Sequence, residues 1–207
     1  MKIIFLHGMG QSASAWDKVV KELPERDVET LDLFDNGQFP ETYHLLETKV
    51  RQLLNSIDEE FILVGLSLGA CLAFSSLKDR PNNLKGIIAC AGQFNLKRNL
   101  PFVIQKQVFK LIPKSFFAKQ GVDKEKLIEF LSSMSDLNLT DNLIQSEIPA
   151  LVTCGQKDRF NIKTSQEAAS LMPNACFREI PNAGHLLTDD APQTLANLIE
   201  EFLRKNK

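Results

Sequence analysis

A serine flanked by glycines is the residue whose surroundings point most directly to chemistry. Gly65-Leu66-Ser67-Leu68-Gly69 follows an apolar stretch of strand length and precedes an apolar stretch of helix length. This context is typical of a nucleophile elbow, a sharp turn that projects the serine hydroxyl above a sheet. The glycines leave room where larger side chains would clash, and the helix directs its N-terminal N–H groups at developing negative charge. We predict Ser67 as a nucleophile; an ordinary Gly/Ser turn is the alternative.

A serine needs a general base, and the chain has three histidines. His44 lies in a stretch of helical periodicity and is expected at the surface. His7 ends the first apolar stretch and is expected to be structural. His185 follows the last predicted strand, so it should lie at the same edge of a parallel sheet as Ser67. We predict His185 as the base; a surface histidine without a catalytic role is the alternative.

The base needs a carboxylate that fixes its tautomer and stabilises its charged form. Asp158 follows the fifth predicted strand, in Gly155-Gln156-Lys157-Asp158, again at the carboxyl edge of the sheet. We therefore predict Asp158 as this acid. The competing carboxylates are Asp32, Asp35, Asp136 and Asp189, the last of which is expected to help cap the final helix.

Alternating strands and helices are predicted to position these candidates. Apolar stretches of strand length occur at residues 3–7, 28–33, 61–65, 84–91, 150–155 and 175–180. Segments of helical periodicity lie between them: a short one capped by Ser14, then about 43–57, 68–78, 165–172 and a last one opening at Asp190 and Pro192. This alternation predicts an α/β fold, a mostly parallel sheet of about six strands flanked by helices.

The alternation breaks once, between the fourth and fifth strands. We expect one domain over residues 1–207 with a helical cap at about residues 93–148, called the insertion below. Because ligands bind beyond the carboxyl ends of parallel strands, the insertion should roof the site. Its apolar side chains either wall a pocket or, as favoured for most, pack the insertion onto the sheet. Candidate pocket residues are Trp16, Phe34, Phe94, Phe102 and Leu186, although the only tryptophan of a chain is more often a core residue.

Composition limits the partners. The 207 residues carry 24 Lys and Arg against 26 Asp and Glu, a net charge of −2. This balance offers no electrostatic footprint for nucleic acid or an anionic membrane. The longest uncharged stretch, residues 61–77, is too short to span a bilayer, and the N-terminus lacks the pattern of a signal peptide. We expect a cytoplasmic protein that binds no nucleic acid and has no stable membrane association.

The four cysteines show no spacing typical of a metal site. Cys71, Cys90, Cys154 and Cys176 each lie in an apolar segment, so all are expected to be buried. The sequence predicts neither a metal nor an organic cofactor.

The chain order Ser67, Asp158, His185 resembles that of the α/β-hydrolase superfamily of serine hydrolases. The resemblance covers nearly the whole chain and rests on four segments: His7-Gly8-Met9-Gly10, Gly65–Gly69, Gly155–Asp158 and Asn182–His185. It implies that the backbone N–H groups of Met9 and Leu68 form the oxyanion hole.

The chain departs from the pattern of this superfamily in three ways. The usual antiparallel N-terminal strands are missing, because the His-Gly motif already appears at His7. Residues 32–37 replace the common Asp-x-x-Gly-x-Gly turn, and the insertion is short. The first departure implies a minimal sheet, and the other two concern the substrate entrance.

The resemblance implies a carboxylesterase-like serine hydrolase that cleaves a small or medium carboxylic ester through an acyl-enzyme. A thioesterase or a carbon–carbon bond hydrolase of the same fold is the alternative within this chemistry. The expected partner is thus a small-molecule ester or thioester. A ligand receptor or scaffold that retains the fold is the alternative from another class. The sequence leaves the oligomeric state open.

Overall fold

The computed structural model describes residues 1–34, 38–97, 99–119 and 121–206. Its six strands are β1 (Lys2–Leu6), β2 (Val28–Leu31), β3 (Phe61–Leu66), β4 (Leu84–Cys90), β5 (Ala150–Gly155) and β6 (Ala175–Ile180). They form one sheet in the order β2-β1-β3-β4-β5-β6, and every adjacent pair is parallel. The predicted α/β class, a parallel sheet of about six strands flanked by helices, is confirmed.

Helices cover both faces of this sheet. Outside the insertion they are α1 (Asp17–Lys21), α2 (Tyr43–Asn55), α3 (Leu68–Ser75), α8 (Ile162–Leu171), α9 (Leu187–Asp190) and α10 (Pro192–Lys205). The insertion contributes α4 (Leu100–Leu111), α5 (Lys114–Ala118), α6 (Lys124–Ser133) and α7 (Thr140–Ile144). Burial of apolar side chains against the sheet, rather than propensity alone, stabilises helices as short as these.

Two of the predicted helix caps are wrong. The first helical segment opens as a 3₁₀ turn, Ala13–Trp16, and Ser14 Oγ bonds Ser12 Oγ at 2.8 Å instead of capping it. At α10, Pro192 does occupy the first turn, where its missing N–H costs nothing. Asp190, however, accepts the N–H of Gly184 at 2.6 Å, and Asp189 pairs with Lys18 at 2.7 Å. The Asp190 carboxylate thus fastens the Gly184 loop and the Asp189 carboxylate pairs with helix α1, so α10 begins without a side-chain cap.

The core lies in two layers, one on each side of the sheet. On one side, α2, α3, α8 and the insertion pack together, with Leu54, Leu63 and Phe130 fully buried. On the other, α1 and α10 bury Val64 and Phe202. Trp16 belongs to this second layer.

Trp16 is fully buried, and its ring centroid lies 4.6 Å from that of Phe5 in β1. Because its ring is enclosed by core residues, it packs the fold and does not line a pocket, which corrects its place among the pocket candidates.

The insertion is packed onto the sheet by its aromatic residues. Phe94, Phe102, Phe117 and Phe130 are all buried in the same layer as the β1, β3 and β5 side chains. This agrees with packing as the main role of the apolar residues of the insertion. That the insertion is a cap within one domain over residues 1–207 stays a prediction.

The cysteines do not share one environment. Cys71, Cys90 and Cys154 are buried as predicted, but Cys176 is exposed. β6 is an edge strand, and Cys176 and Arg178 share its outer, exposed face.

Among the described residues, no helix is both long enough and apolar enough to cross a membrane.

Candidate active site

Ser67 occupies a strained turn between β3 and α3. Its backbone has φ 55° and ψ −108°, in the left-handed half of conformational space that residues other than glycine rarely enter. Its N–H donates to Cys90 O at 2.8 Å, which fixes the turn to the end of β4. A Cβ added to Gly65 would lie 2.2 Å from Gly69 O, and one added to Gly69 would lie 2.2 Å from Leu6 O. Both flanking glycines are therefore required by close backbone approach, as the motif predicts.

The loop after β1 lies against this turn. The sheet order reverses between β1 and β3, and ligands of open parallel sheets bind at such a switch point. Gln11 closes the loop, since its Oε1 accepts Gly8 N–H at 2.8 Å and its N–H donates to Gly8 O at 3.3 Å. The N–H groups of Met9 and Leu68 donate to no acceptor within the described residues. Both candidate oxyanion-hole donors are thus available at the switch point.

His185 and Asp158 are in direct contact. His185 Nδ1 lies 2.6 Å from Asp158 Oδ2, a distance typical of a strong, charge-assisted hydrogen bond. The Asp158 side chain is 3% exposed and the His185 side chain 40% exposed. Because Nδ1–H donates to the carboxylate, Nε2 is the nitrogen left to accept a proton.

Backbone hydrogen bonds hold the loops of these two residues together. Gln156 N–H donates to Ile180 O at 3.0 Å, and Lys157 N–H donates to Ala183 O at 2.8 Å. A Cβ on Gly155 would lie 2.1 Å from Gly184 O, so the loops touch there. Asp158 and His185 are therefore brought together by the ends of β5 and β6, as the sequence predicts.

Ser67 is separated from Asp158 by one intervening strand, β4. It follows β3, and Asp158 follows β5 two strands away, a backbone separation of about 10 Å at the usual strand spacing. Within the described part of the chain, the Ser67 hydroxyl makes no hydrogen bond to His185. Such a bond is often long until substrate binds. The structure thus joins two of the three predicted catalytic residues directly and places the third at the same edge.

Asn161, a residue that the sequence analysis missed, holds the Asp158 carboxylate. Its Nδ2 lies 2.8 Å from both carboxylate oxygens, and its backbone N–H lies 3.3 Å from Oδ1. Burial raises the pKa of Asp158, but the hydrogen bonds from His185 and Asn161 outweigh burial and bring the pKa below its ordinary value. Asp158 is therefore held as the anion that a charged His185 requires. The only sequence signal is the three-residue spacing between Asp158 and Asn161, which is typical of local side-chain turns.

A head-to-tail chain of hydrogen bonds extends from Asn161 into the insertion. Gln93 Nε2 donates to Asn161 Oδ1 at 2.5 Å, and Asn99 Nδ2 donates to Gln93 Oε1 at 2.6 Å. Asn99 Oδ1 in turn accepts the N–H of Phe102 at 2.8 Å and so caps α4. Because Asn161 Oδ1 is occupied by Gln93, its amide nitrogen must face Asp158. The side chains of Asn161, Gln93 and Asn99 thus connect the first helix of the insertion to the acid.

The competing carboxylates lie elsewhere. Asp32 is exposed and Asp136 is exposed in the insertion, while Asp189 pairs with Lys18. Asp35 falls outside the described residues. Within those residues, Asp158 is the carboxylate that contacts His185.

The other two histidines have roles away from proton transfer. His7 is fully buried; its Nδ1–H donates to Gly8 O at 2.8 Å, and its Nε2 accepts Leu33 N–H at 3.0 Å. Both ring nitrogens of His7 therefore hold loops at the ends of β1 and β2. The His44 side chain is 77% exposed beside Glu47.

The remaining pocket candidates divide by exposure. Phe34, Phe94 and Phe102 are at most 8% exposed and lie in the core layer that contains the insertion. Leu186 is 43% exposed and adjoins His185.

A groove of about 300 Å³ lies at the amino ends of β5 and β6, away from the pocket candidates. Residues that line it include Pro149, Asn174 and Phe202. Within the described ranges, no group of three His, Cys, Asp or Glu side chains could hold a metal ion.

Comparison with known proteins places the chain in a family. The model of the alpha/beta hydrolase family matches residues 3–198. The chain belongs to this family. It is 23% identical to the uncharacterized hydrolase YugF of Bacillus subtilis, over 98% of this chain and 89% of that protein. It is 22% identical to a pimeloyl-[acyl-carrier protein] methyl ester esterase of Aliivibrio fischeri, over 88% of this chain and 86% of that protein.

A similar solved structure is that of a thermophilic esterase from Thermogutta terrifontis. It superposes with a TM-score of 0.77 at 23% identity, over 99% of this chain and 90% of that chain. At this identity the likeness establishes the fold.

Proposed function

We propose that this alpha/beta hydrolase is a serine hydrolase that cleaves a small or medium carboxylic ester through an acyl-enzyme. The observation that carries the proposal is the 2.6 Å contact between His185 Nδ1 and Asp158, at the sheet edge where Ser67 stands in its strained turn. This contact fixes the tautomer in which His185 Nε2 can accept a proton. The esterase names of the relatives support the choice of substrate class.

In the first half of the reaction, Ser67 Oγ attacks the ester carbonyl carbon while its proton passes to His185 Nε2. The carbonyl oxygen becomes an oxyanion, which accepts hydrogen bonds from the N–H groups of Met9 and Leu68. The N-terminus of α3 adds a favourable dipole at the same point. Collapse of the tetrahedral intermediate breaks the carbon–oxygen bond of the ester. The leaving alcohol takes the proton from Nε2, and the acyl group stays on Ser67.

In the second half, a water molecule replaces the alcohol. His185 Nε2 accepts a proton from this water as its oxygen attacks the acyl carbon, and the proton then returns to Ser67 Oγ as the acid leaves. Asp158 keeps its negative charge throughout and stabilises the charged imidazolium. These steps require no metal or organic cofactor.

Asn161 acts as a positioning residue in this scheme. It touches neither substrate nor the transferred proton, but it fixes the carboxylate through both oxygens. Gln93 sets the orientation of Asn161, so the insertion contributes to the geometry of the acid. We therefore include residues 93–148 in the proposed enzyme as a cap over one catalytic domain. Phe34, Phe94, Phe102 and Leu186 remain proposals for its pocket.

A panel of p-nitrophenyl esters and matched acyl thioesters of increasing chain length tests the proposal. We expect the wild type to turn over at least one short or medium ester, and Ser67→Ala to turn over none while keeping the wild-type circular dichroism spectrum. Thioester turnover exceeding ester turnover at equal chain length would favour the thioesterase alternative. Ester turnover by folded Ser67→Ala at the wild-type rate would remove Ser67 as nucleophile. A folded wild type without turnover of any substrate would favour a receptor or scaffold.

A further inference from the structure

The outward face of α4 is apolar. Leu100, Ile104 and Leu111 are 66%, 52% and 84% exposed. At 3.6 residues per turn these positions fall within about 40° of one another around the helix. The opposite face carries Phe102, which is buried in the core layer. A helix that is apolar on both sides is normally enclosed on both sides.

Neighbouring side chains widen this face. Val103 and Val108 of α4 are 42% and 45% exposed, and Phe116 of α5 is 51% exposed. Phe116 contacts the ring of Phe117, which in turn contacts that of Phe109 in α4, each at a centroid distance of 5.6 Å. We call the six exposed residues the cap patch: Leu100, Val103, Ile104, Val108, Leu111 and Phe116. Exposed apolar side chains grouped in this way mark an interaction site.

The segment that carries the cap patch is strongly basic. Residues 97–122 contain five lysines and Arg98 and contain no Asp or Glu. Since the whole chain carries −2 and this segment +6, the rest of the chain carries −8. Of the five lysines, Lys114 faces a carboxylate, Glu125; within the described residues the other four form no ion pair. The net charge of the whole chain predicts no attraction to an anionic membrane, because it averages this basic segment with the acidic remainder.

We propose that the cap patch docks the protein reversibly on an anionic lipid surface. Aliphatic side chains on a convex helix can enter the boundary between lipid headgroups and acyl chains without needing a matching groove. Lysines around them are attracted to anionic headgroups, and an apolar face combined with basic charge gives the two contributions that reversible anchoring requires. A protein partner is less favoured, because it would need an apolar groove shaped to fit the patch, whereas a lipid surface does not.

The docking does not depend on the proposed chemistry. The cap patch contains none of the three candidate catalytic residues, so Ser67→Ala should bind vesicles as the wild type does. α4 begins directly after Asn99, which belongs to the hydrogen-bond chain that ends at Asp158. Docking through α4 would therefore hold the candidate site beside the lipid.

Cosedimentation of the full chain with vesicles tests the proposal. We expect the protein to partition onto vesicles of phosphatidylcholine mixed with phosphatidylglycerol, to partition weakly onto phosphatidylcholine alone, and to be released as salt screens the charges. The triple variant Leu100→Ser, Ile104→Ser, Leu111→Ser should lower the partition coefficient by about tenfold or more. The matched control is Leu45→Ser with Leu53→Ser on α2, whose side chains are 50% and 40% exposed outside the patch.

A second pair of variants isolates the charge. Lys110→Gln with Lys119→Gln should lower the partition coefficient about 25-fold, since each lysine near an anionic surface contributes roughly a factor of five. Lys21→Gln with Lys78→Gln, two exposed lysines far from the patch in sequence, should change it less than about twofold. Circular dichroism checks that each variant is folded.

Three outcomes would overturn the proposal. One is a wild type that stays in the supernatant with phosphatidylglycerol vesicles at low salt, which would leave an acidic protein as the partner of the patch. Another is equal loss of partition in the patch variants and their controls. The third is a dimer in sedimentation velocity that the triple serine variant dissociates, which would assign the patch to a second copy of this chain.

Discussion

The carboxyl edge of the sheet and helix α4 of the insertion hold their side chains in opposite ways. At the sheet edge, Ser67, Asp158 and His185 sit on short loops that backbone hydrogen bonds and close glycine contacts fix to neighbouring strands. On α4, one face is anchored and the other projects apolar side chains outward. In the first region the backbone fixes the positions of the side chains. In the second, the apolar side chains stay exposed until an external surface covers them. Catalytic geometry should therefore be sensitive to small changes, and the insertion tolerant of them.

The largest expected effect comes from the acid at the sheet edge. Asp158→Asn removes the charge that stabilises protonated His185 and permits the wrong tautomer, so kcat for ester hydrolysis should fall by about 10³–10⁴. The matched control is Asp136→Asn, an exposed carboxylate of the insertion, which should leave kcat unchanged. The reverse pattern, with a dead Asp136→Asn and an active Asp158→Asn, would show that the acid has been misassigned.

A smaller effect, on the free energy of unfolding, is expected when a glycine is replaced by alanine in each region. The Cβ of Gly69→Ala would lie 2.2 Å from Leu6 O, a backbone atom that cannot move freely, so unfolding free energy should drop by about 3 kcal/mol. Gly121→Ala in the insertion has no atom within 4 Å and is strained only by its φ of 71°, which costs about 1 kcal/mol. Urea denaturation of both variants gives the comparison. Equal losses would mean that the elbow is less constrained than its geometry indicates.

Asn161→Ala probes the link between the two regions. Loss of the amide frees the Asp158 carboxylate to rotate, and kcat should fall by about tenfold with little change in KM. Gln93→Ala, one step farther along the chain of hydrogen bonds, should have a weaker effect in the same direction. Restoration of most of the activity by Asn161→Gln, which keeps the amide donor, would support a positioning role. If kcat and the pH profile of Asn161→Ala matched those of the wild type, the role of Asn161 would be purely structural.

The smallest effect concerns the thiols. Burial raises the pKa of Cys71 to about 11 and that of Cys154 to about 12, and burial also raises the pKa of Cys90. Cys176 is exposed on the edge strand. A thiol reagent at pH 8 should therefore modify one cysteine in the native protein and four after denaturation, counted by intact mass. Modification of two or more thiols in the native state would indicate that the buried layers open.

The contrast between regions explains how much the sequence could predict. The strands and the positions of Ser67, Asp158 and His185 follow from local rules, because strand ends and glycine spacing determine where these residues lie. Their chain order is the one typical of α/β-hydrolase triads.

Side-chain partners that depend on distant elements were not predictable in this way. Asn161 meets Gln93 only after β4 and β5 pair, and Asp189 meets Lys18 only after α9 packs against α1. Cys176 has an apolar neighbour on each side, and its exposure follows from the edge position of β6. Trp16 could be placed only once the second core layer was known.

The measurement that tests the central claim most directly is covalent labelling by a fluorophosphonate probe, followed by mass spectrometry of the intact chain and its peptides. An activated serine reacts with such a probe, whereas an ordinary serine does not. We predict one adduct per chain, located on Ser67, absent in Ser67→Ala, and formed about 100-fold more slowly in His185→Ala than in the His44→Ala control. No adduct in the folded wild type, an adduct on another residue, or equal labelling rates in the two histidine variants would contradict the proposed Ser67–His185–Asp158 mechanism.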